Sequence, residues 1–133
     1  MNTLSKDILT ALGRILLALI FIFAGFSKLH AYHQTAAYMA AHGLPAALLP
    51  AVIALELGGG IALALGLFTR FAAALLGLFS IAAIAIFLLP PAGEQGLILV
   101  LAETAMVGGL LDFAARGGGR LGLDGLRATR KAR

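Results

Sequence analysis

Four apolar stretches, each long enough to cross a lipid bilayer, constrain this sequence more than any other feature. They cover about residues 8–29, 46–68, 71–89 and 96–115, and each is close to the ~20 residues that span a ~30 Å hydrocarbon core. They show none of the alternation typical of a membrane β-strand. Because helices are the only other structure that spans a bilayer, we predict an all-α membrane protein in which four transmembrane helices form an antiparallel bundle.

The composition of the chain agrees with lipid as its solvent. Hydrophobic residues make up 61% of the 133 residues and charged residues only 12%, whereas soluble domains have about 45–50% and about 25%. A water-soluble fold of this length could not hide so much apolar surface. Cysteine is absent, so the chain offers no disulfide, thiolate nucleophile or thiolate-ligated metal centre. A redox role would therefore depend on a partner or a bound cofactor.

The basic residues predict the orientation of the bundle. Lys6, Arg14, Arg70 and the six lysine and arginine residues of the segment 116–133 all fall on one side of the predicted bundle. The opposite side has no basic residue beyond Lys28 at its edge. The positive-inside rule then places both termini in the cytoplasm.

Residues 1–115 therefore form the predicted membrane domain, and residues 116–133 form a basic cytoplasmic tail. The tail contains three consecutive glycines and little apolar surface, so we expect it to be mobile and attracted to anionic lipid head groups. It holds no aromatic residue for base stacking, and we predict no binding of nucleic acid. No cleavage site of small residues follows the first stretch before Lys28, so we expect that stretch to be kept as a span.

The connections between the spans differ in length. The segment Leu67-Phe68-Thr69-Arg70 is so short that the second and third spans are predicted to form a hairpin of neighbouring helices. A longer outer segment separates the first two spans, and its residues 34–42 suit a short helix at the membrane interface. Three histidines of this region are expected to be surface residues, and we predict no metal site, because their spacing does not match one: His30, His33 and His42.

Small residues recur at every fourth position of the second span, at Ala54, Gly58, Ala62 and Gly66. Small residues at this spacing let two helix backbones approach closely in lipid. We therefore predict that this stripe packs against a neighbouring helix.

Ionisable residues inside the spans are the candidates for function, because each costs at least ~2.5–3.5 kcal/mol at the centre of a membrane helix. A rise of 1.5 Å per residue places Glu56 ~15 Å and Glu103 ~10 Å from the outer ends of their spans. Lys28 lies in the same outer half. We predict that these three residues line a pocket between the first, second and fourth spans. Arg14 and Asp112 lie in the inner half and form a second candidate pair.

Three functions are open for the group of Lys28, Glu56 and Glu103. In the first, Lys28 reaches the outer interface and the carboxyl groups form interhelical hydrogen bonds that only hold the bundle together. In the second, the pocket binds the carbonyl or hydroxyl head of a membrane quinone, with Lys28 as donor and a carboxylate as acceptor. In the third, a carboxylate carries protons in a small proton-coupled transporter. Small multidrug transporters have an acidic residue in their first span, and this chain has none there.

Five short motifs, in their order and spacing, resemble the DoxX family of small bacterial inner-membrane proteins. The resemblance covers about residues 10–110. The motifs are Gly13-Arg14, Phe23-Ala24-Gly25-Phe26-Ser27-Lys28-Leu29, His42-Gly43-Leu44-Pro45, Leu55-Glu56-Leu57-Gly58-Gly59 and Gly66-Leu67-Phe68-Thr69-Arg70.

The resemblance implies a four-helix bundle in the bacterial inner membrane, related to the DoxD subunit of an archaeal thiosulfate:quinone oxidoreductase. It also implies that Arg14, Lys28, Glu56 and Arg70 are the polar positions of the family. We assign Arg14, Arg70 and Asp112 to structural polar roles, and we leave open whether the chain is an enzyme.

The resemblance also suggests a function and partners. We expect an accessory or quinone-interacting subunit of a redox-linked membrane assembly. Its expected cofactor is a membrane quinone, with nothing bound covalently. Its expected partners are the lipid bilayer together with a second copy of the chain or another membrane redox protein.

Overall fold

A computed structural model describes residues 1–132 of the protein. Within these residues the chain forms six α-helices and no strand. The 3-10 turn Ala46–Leu48 leads into the third helix, and the π-helix Ile84–Leu88 continues the fourth. The helices are α1 (Thr3–His30), α2 (Tyr32–Ala41), α3 (Leu49–Leu65), α4 (Thr69–Ala83), α5 (Gly93–Arg116) and α6 (Leu123–Lys131).

Four helical segments are long and apolar enough to cross a membrane: Thr3–His30, Ala46–Leu65, Thr69–Leu88 and Gly93–Arg116. Large apolar side chains point outward from them, among them Leu16, Phe23 and Leu78. Such a surface is stable when lipid surrounds the bundle. The predicted all-α fold with four transmembrane helices is confirmed, whereas the cytoplasmic location of both termini stays a prediction.

Successive spans run in opposite directions, so the two ends of the bundle carry different elements. The end called here the terminal face carries the start of α1, the turn at 66–68 and the end of α5. The end called the distal face carries α2 and the turn at 89–92. α1 packs chiefly on α3 and α5 chiefly on α4, while α3 against α4 joins the two pairs. Contact between α1 and α5 is slight.

The local sequence accounts for several helix ends. The side chain of Asn2 accepts a hydrogen bond from the Ser5 N–H at 2.8 Å and so begins α1. Pro50 stands in the first turn of α3, where the N–H that proline lacks has no helical partner. Gly66 ends α3 with φ at 68°, a left-handed conformation that glycine adopts without strain.

The core is solid in the terminal half of the bundle and hollow in the distal half. Six buried side chains from all four spans fill the terminal half: Ala18, Phe21, Leu63, Ala73, Leu76 and Leu110. A smaller cluster holds α2 against the start of α3 and consists of Met39, Leu49 and Ile53. A cavity bordered by Phe21 of the first cluster and Met39 of the second separates them.

The predicted stripe of small residues does not pack as a single face, and for Ala54 and Gly58 the prediction is wrong within this chain. Both lie on the exposed side of α3, and nothing lies within 4 Å of the place where Gly58 would carry a Cβ. The close approach of α1 occurs instead at Gly60, where a Cβ would lie 2.9 Å from Ile22 Cγ1. Four residues advance about 40° beyond a full helical turn, so a stripe at that spacing winds around the helix.

The other two members of the stripe are at least partly buried. Ala62 is half-buried on α3. Gly66 is buried by the tail and by Arg14 of α1, because a Cβ there would lie 2.7 Å from the Cα of Gly122 and 3.0 Å from the Arg14 Cζ. Gly66 is therefore fixed both by its positive φ and by the close approach of residues beyond α5.

The tail is folded against the terminal face, which corrects the expectation of a mobile segment. Residues 117–122 turn back across this face, and α6 follows them. The Asp124 N–H donates to the Gly66 carbonyl at 2.9 Å, and the Asp124 carboxylate accepts from the Thr69 N–H at 3.1 Å. This carboxylate caps the start of α4. The composition of the tail did not predict this contact with the terminal face. Main-chain groups and one carboxylate form the contact, and an apolar face does not.

Candidate functional site

A cavity of about 470 Å³ lies in the distal half of the bundle, and we call it the distal cavity. It occupies the seam between the α1–α3 pair and the α4–α5 pair, and α2 closes part of its distal end. Its volume falls within the ~300–1,000 Å³ typical of small-molecule sites. The lining is mostly apolar, and its charged members among the described residues are Lys28, Glu56 and Glu103.

Lys28 of α1 and Glu56 of α3 form an ion pair at the cavity wall. The Lys28 Nζ lies 2.7 Å from the Glu56 Oε1, and the two side chains are 27% and 3% exposed. At this distance the ammonium group and the carboxylate attract each other directly. Buried ion pairs are often no more stabilising than apolar residues of the same size. Stability alone is therefore a weak explanation for this pair.

Further polar side chains line the cavity, among them Glu103 and Ser80. Glu103 of α5 is half-buried and lies outside ion-pair distance of Lys28. Ser80 of α4 is 2% exposed and is the single polar residue between positions 71 and 89. The sequence analysis missed Ser80, although one hydroxyl in an otherwise apolar span is a usable signal. Ligand binding by this group of residues stays a prediction.

The π-helix shapes the distal end of the cavity. Its residue Phe87 lines the cavity and stacks on Tyr38 of α2, with ring centroids 5.3 Å apart. His42 packs edgewise on Phe87 at 5.0 Å. These rings connect α2 to the end of the α4 segment, and π-helical turns are frequent at functional sites. Nothing in the sequence pattern indicated this turn.

Arg14 lies in the terminal half, where it contacts main-chain oxygens. Its guanidinium donates to the carbonyls of Gly118, Ala64 and Leu121, at 3.4 Å for Ala64 and 2.9 Å for Leu121. The residue is only 2% exposed. It satisfies one of the carbonyls that the end of α3 leaves unpaired and ties the tail to the bundle.

The predicted pairing of Arg14 with Asp112 is wrong. Asp112 lies on the exposed side of α5, and its Oδ1 contacts the Nε of Arg116 one turn further on, at 2.8 Å. Equal depth in two helices does not determine the direction in which their side chains point. Arg70 is also exposed, and its Nη2 lies 3.5 Å from the Arg116 carbonyl at the end of α5. Arg14, Arg70 and Asp112 all lie outside the distal cavity.

Comparisons with known proteins agree with this architecture. The sequence profile of the DoxX family matches residues 9–89, a region that includes Lys28 and Glu56. The inner membrane protein YqjF of Escherichia coli K12 is 34% identical over 121 residues, which cover 91% of this chain and 93% of that protein. The inner membrane protein YphA of the same organism is 39% identical over 79 residues, which cover 53% of this chain and 56% of that protein. No solved structure is significantly similar to the chain.

Proposed function

The chain belongs to the DoxX family, and we propose that it binds the head group of a membrane quinone in its distal cavity. The predicted family is confirmed, and the chain is a multi-pass inner-membrane protein. The proposal rests on one observation, the Lys28–Glu56 ion pair at the wall of an otherwise largely apolar cavity. In this role the protein is an accessory or quinone-interacting subunit of a redox-linked membrane assembly.

The polar side chains of the cavity match the two ends of a quinone ring. An ammonium group has three N–H donors, and Glu56 engages Lys28 from one direction only. The other donors are free to bind a carbonyl oxygen of the oxidised ring. A carboxylate of Glu56 or Glu103 accepts a hydrogen bond from a hydroxyl of the reduced ring. The same site therefore serves both redox states of the ligand.

The apolar wall of the cavity matches the rest of the ligand. Phe21, Phe79 and Phe87 line it from α1, α4 and the π-helix, and aromatic side chains pack well against a planar ring. α1 and α5 make few contacts with each other although both line the cavity, and we propose that the ligand reaches the surrounding lipid between them. An isoprenoid tail can follow this route while the head stays beside Lys28.

Native mass spectrometry of the protein, extracted gently from its own membrane, tests the proposal. The wild-type chain is expected to carry an isoprenoid quinone. Glu56→Gln keeps the shape of the side chain and removes its charge, and it is expected to lower quinone occupancy about tenfold. Adducts of phospholipid alone on the wild-type chain would contradict the proposal.

Glu94→Gln provides the matched control for this experiment. Glu94 stands in the first turn of α5 on the distal face, is exposed and does not line the cavity. The control carries the same chemical change at the same end of the bundle. It is expected to retain quinone at the wild-type level, and an equal loss in both variants would show that the effect of Glu56→Gln does not arise in the cavity.

A further inference from the structure

The terminal face carries a separate recess of about 800 Å³, which we call the terminal recess. The start of α4, the glycines at 117–119 and α6 form its walls. The described residues that line it include three arginines, namely Arg70, Arg116 and Arg120. We propose that the terminal recess binds the phosphate group of an anionic phospholipid.

The charges in the recess favour an anion. Among residues 1–132, the one carboxylate that lines the recess belongs to Asp124 and is already engaged with the Thr69 N–H. Arg116 uses its Nε for Asp112, which leaves its two terminal nitrogens available. Within residues 1–132, Arg70 makes only the long contact of 3.5 Å with the Arg116 carbonyl. Guanidinium groups bind phosphate through pairs of parallel hydrogen bonds, so the described part of the recess presents suitable donors with a positive net charge.

Unpaired polar groups at the base of the recess support the same ligand. Thr69 lines the recess and is 1% exposed, and its hydroxyl has no hydrogen-bond partner among residues 1–132. In the same part of the chain, the N–H groups of Gly118 and Gly119 donate to no main-chain oxygen. A buried hydroxyl without a partner is unusual in a native protein. A phosphate oxygen would give these donors an acceptor.

Apolar side chains beside the arginines favour a lipid over free phosphate. Phe68 and Phe71 both line the recess and are 60% and 67% exposed. Leu121 and Leu126 are exposed on the adjoining tail. The recess lies at the ends of the spans, where lipid head groups lie, and basic residues at this depth attract anionic lipids. A phospholipid would cover the phenylalanines with its acyl chains, whereas inorganic phosphate would leave them exposed.

Titration of the full-length, detergent-solubilised protein with phosphatidylglycerol or phosphatidylcholine, followed by native mass spectrometry, tests the site. Phosphatidylglycerol is expected to bind about tenfold more tightly than phosphatidylcholine. The double variant Arg70→Gln/Arg120→Gln is expected to lose about tenfold in affinity for phosphatidylglycerol. Equal binding of the two lipids to the wild-type chain would overturn the proposal.

The matched control is Arg127→Gln/Arg130→Gln, which removes the same charge from α6 outside the recess. It is expected to change the affinity less than about twofold, because the recess arginines remain. Equal losses in both double variants would reveal general surface attraction and overturn the proposal.

Two further measurements complete the test. Arg120→Gln alone changes one exposed side chain, so it reports on the site even if the double variant does not fold, and it is expected to weaken phosphatidylglycerol binding about threefold. Inorganic phosphate at constant ionic strength is expected to leave the bound lipid in place. Displacement of the lipid by phosphate would assign the recess to a free anion and overturn the lipid proposal.

Discussion

The two halves of the bundle each bury one charged residue to the same extent, but they surround it differently. Arg14 in the terminal half and Glu56 in the distal half are both 2% exposed. Arg14 donates to main-chain carbonyls in a solid core, whereas Glu56 borders a cavity and meets a lysine. Burial of a charge therefore does not by itself mark a functional site. The open space beside Glu56, and not its burial, makes the distal cavity the candidate site.

The largest expected effect concerns Arg14. Arg14→Met would leave three buried or half-buried carbonyls of the tail and α3 without their donor, and we expect a loss of about 3–5 kcal/mol in the free energy of unfolding. Circular dichroism during denaturation in detergent measures it. Lys6→Met, an exposed change on the same helix, is expected to have little effect. Unchanged stability in Arg14→Met would show that this residue has no structural role.

A smaller loss is expected where the tail crosses the start of α4. A Cβ at Gly118 would lie 2.5 Å from the Thr69 Oγ1 and 3.1 Å from its Cβ, so Gly118→Ala should lower the free energy of unfolding by about 1–3 kcal/mol. Gly108→Ala is the control, since nothing lies within 4 Å of that position. The same denaturation experiment applies, and equal stability of the two variants would mean that the tail is not packed as described.

The distal half of the bundle contains a cavity, so it should tolerate a larger side chain better than the closely packed terminal half does. Ala24→Leu places a larger side chain in the distal cavity, and we expect the free energy of unfolding to change by less than about 1 kcal/mol while quinone occupancy falls sharply. Ala105→Leu makes the same change on the exposed side of α5 and should keep the quinone. Full quinone occupancy in Ala24→Leu would place the ligand elsewhere.

The smallest effect tests the exposed side of α3. Gly58→Ala meets no neighbour within this chain, and alanine favours helix over glycine by about 0.5–1 kcal/mol, so a slight gain in stability is expected. Gly60→Ala, which meets Ile22, should lose stability in the same denaturation assay. A loss in Gly58→Ala would instead indicate that another helix covers this side of α3.

The sequence predicted the length of each span and the depth of each charged residue in the bilayer. Membrane thickness determines the length of a span, so apolar run length located all four helices. The rise per residue placed Lys28, Glu56 and Glu103 in one half of the bundle, and the structure brings them to one cavity. The same reasoning failed for Arg14 and Asp112, because it gives depth without the direction of the side chain around the helix.

The features that depend on the main chain could not be predicted. The partners of Arg14 are carbonyl groups, and every residue carries one, so no residue type marks Gly118 or Leu121 as acceptors. The inward position of Phe87 depends on a π-helical turn, which has no pattern of its own in the apolar run 84–88. Both features position the candidate sites, and both required the three-dimensional structure.

The most direct test of the contrast between the two halves replaces the ion pair by apolar residues, as Lys28→Met/Glu56→Leu. The free energy of unfolding and the quinone occupancy are measured on the same preparation. Because an apolar pair often packs as well as a buried ion pair, we expect the stability to be unchanged or higher and the quinone to be lost. A strong loss of stability with the quinone retained would contradict the proposal and would assign Lys28 and Glu56 to the structure of the bundle.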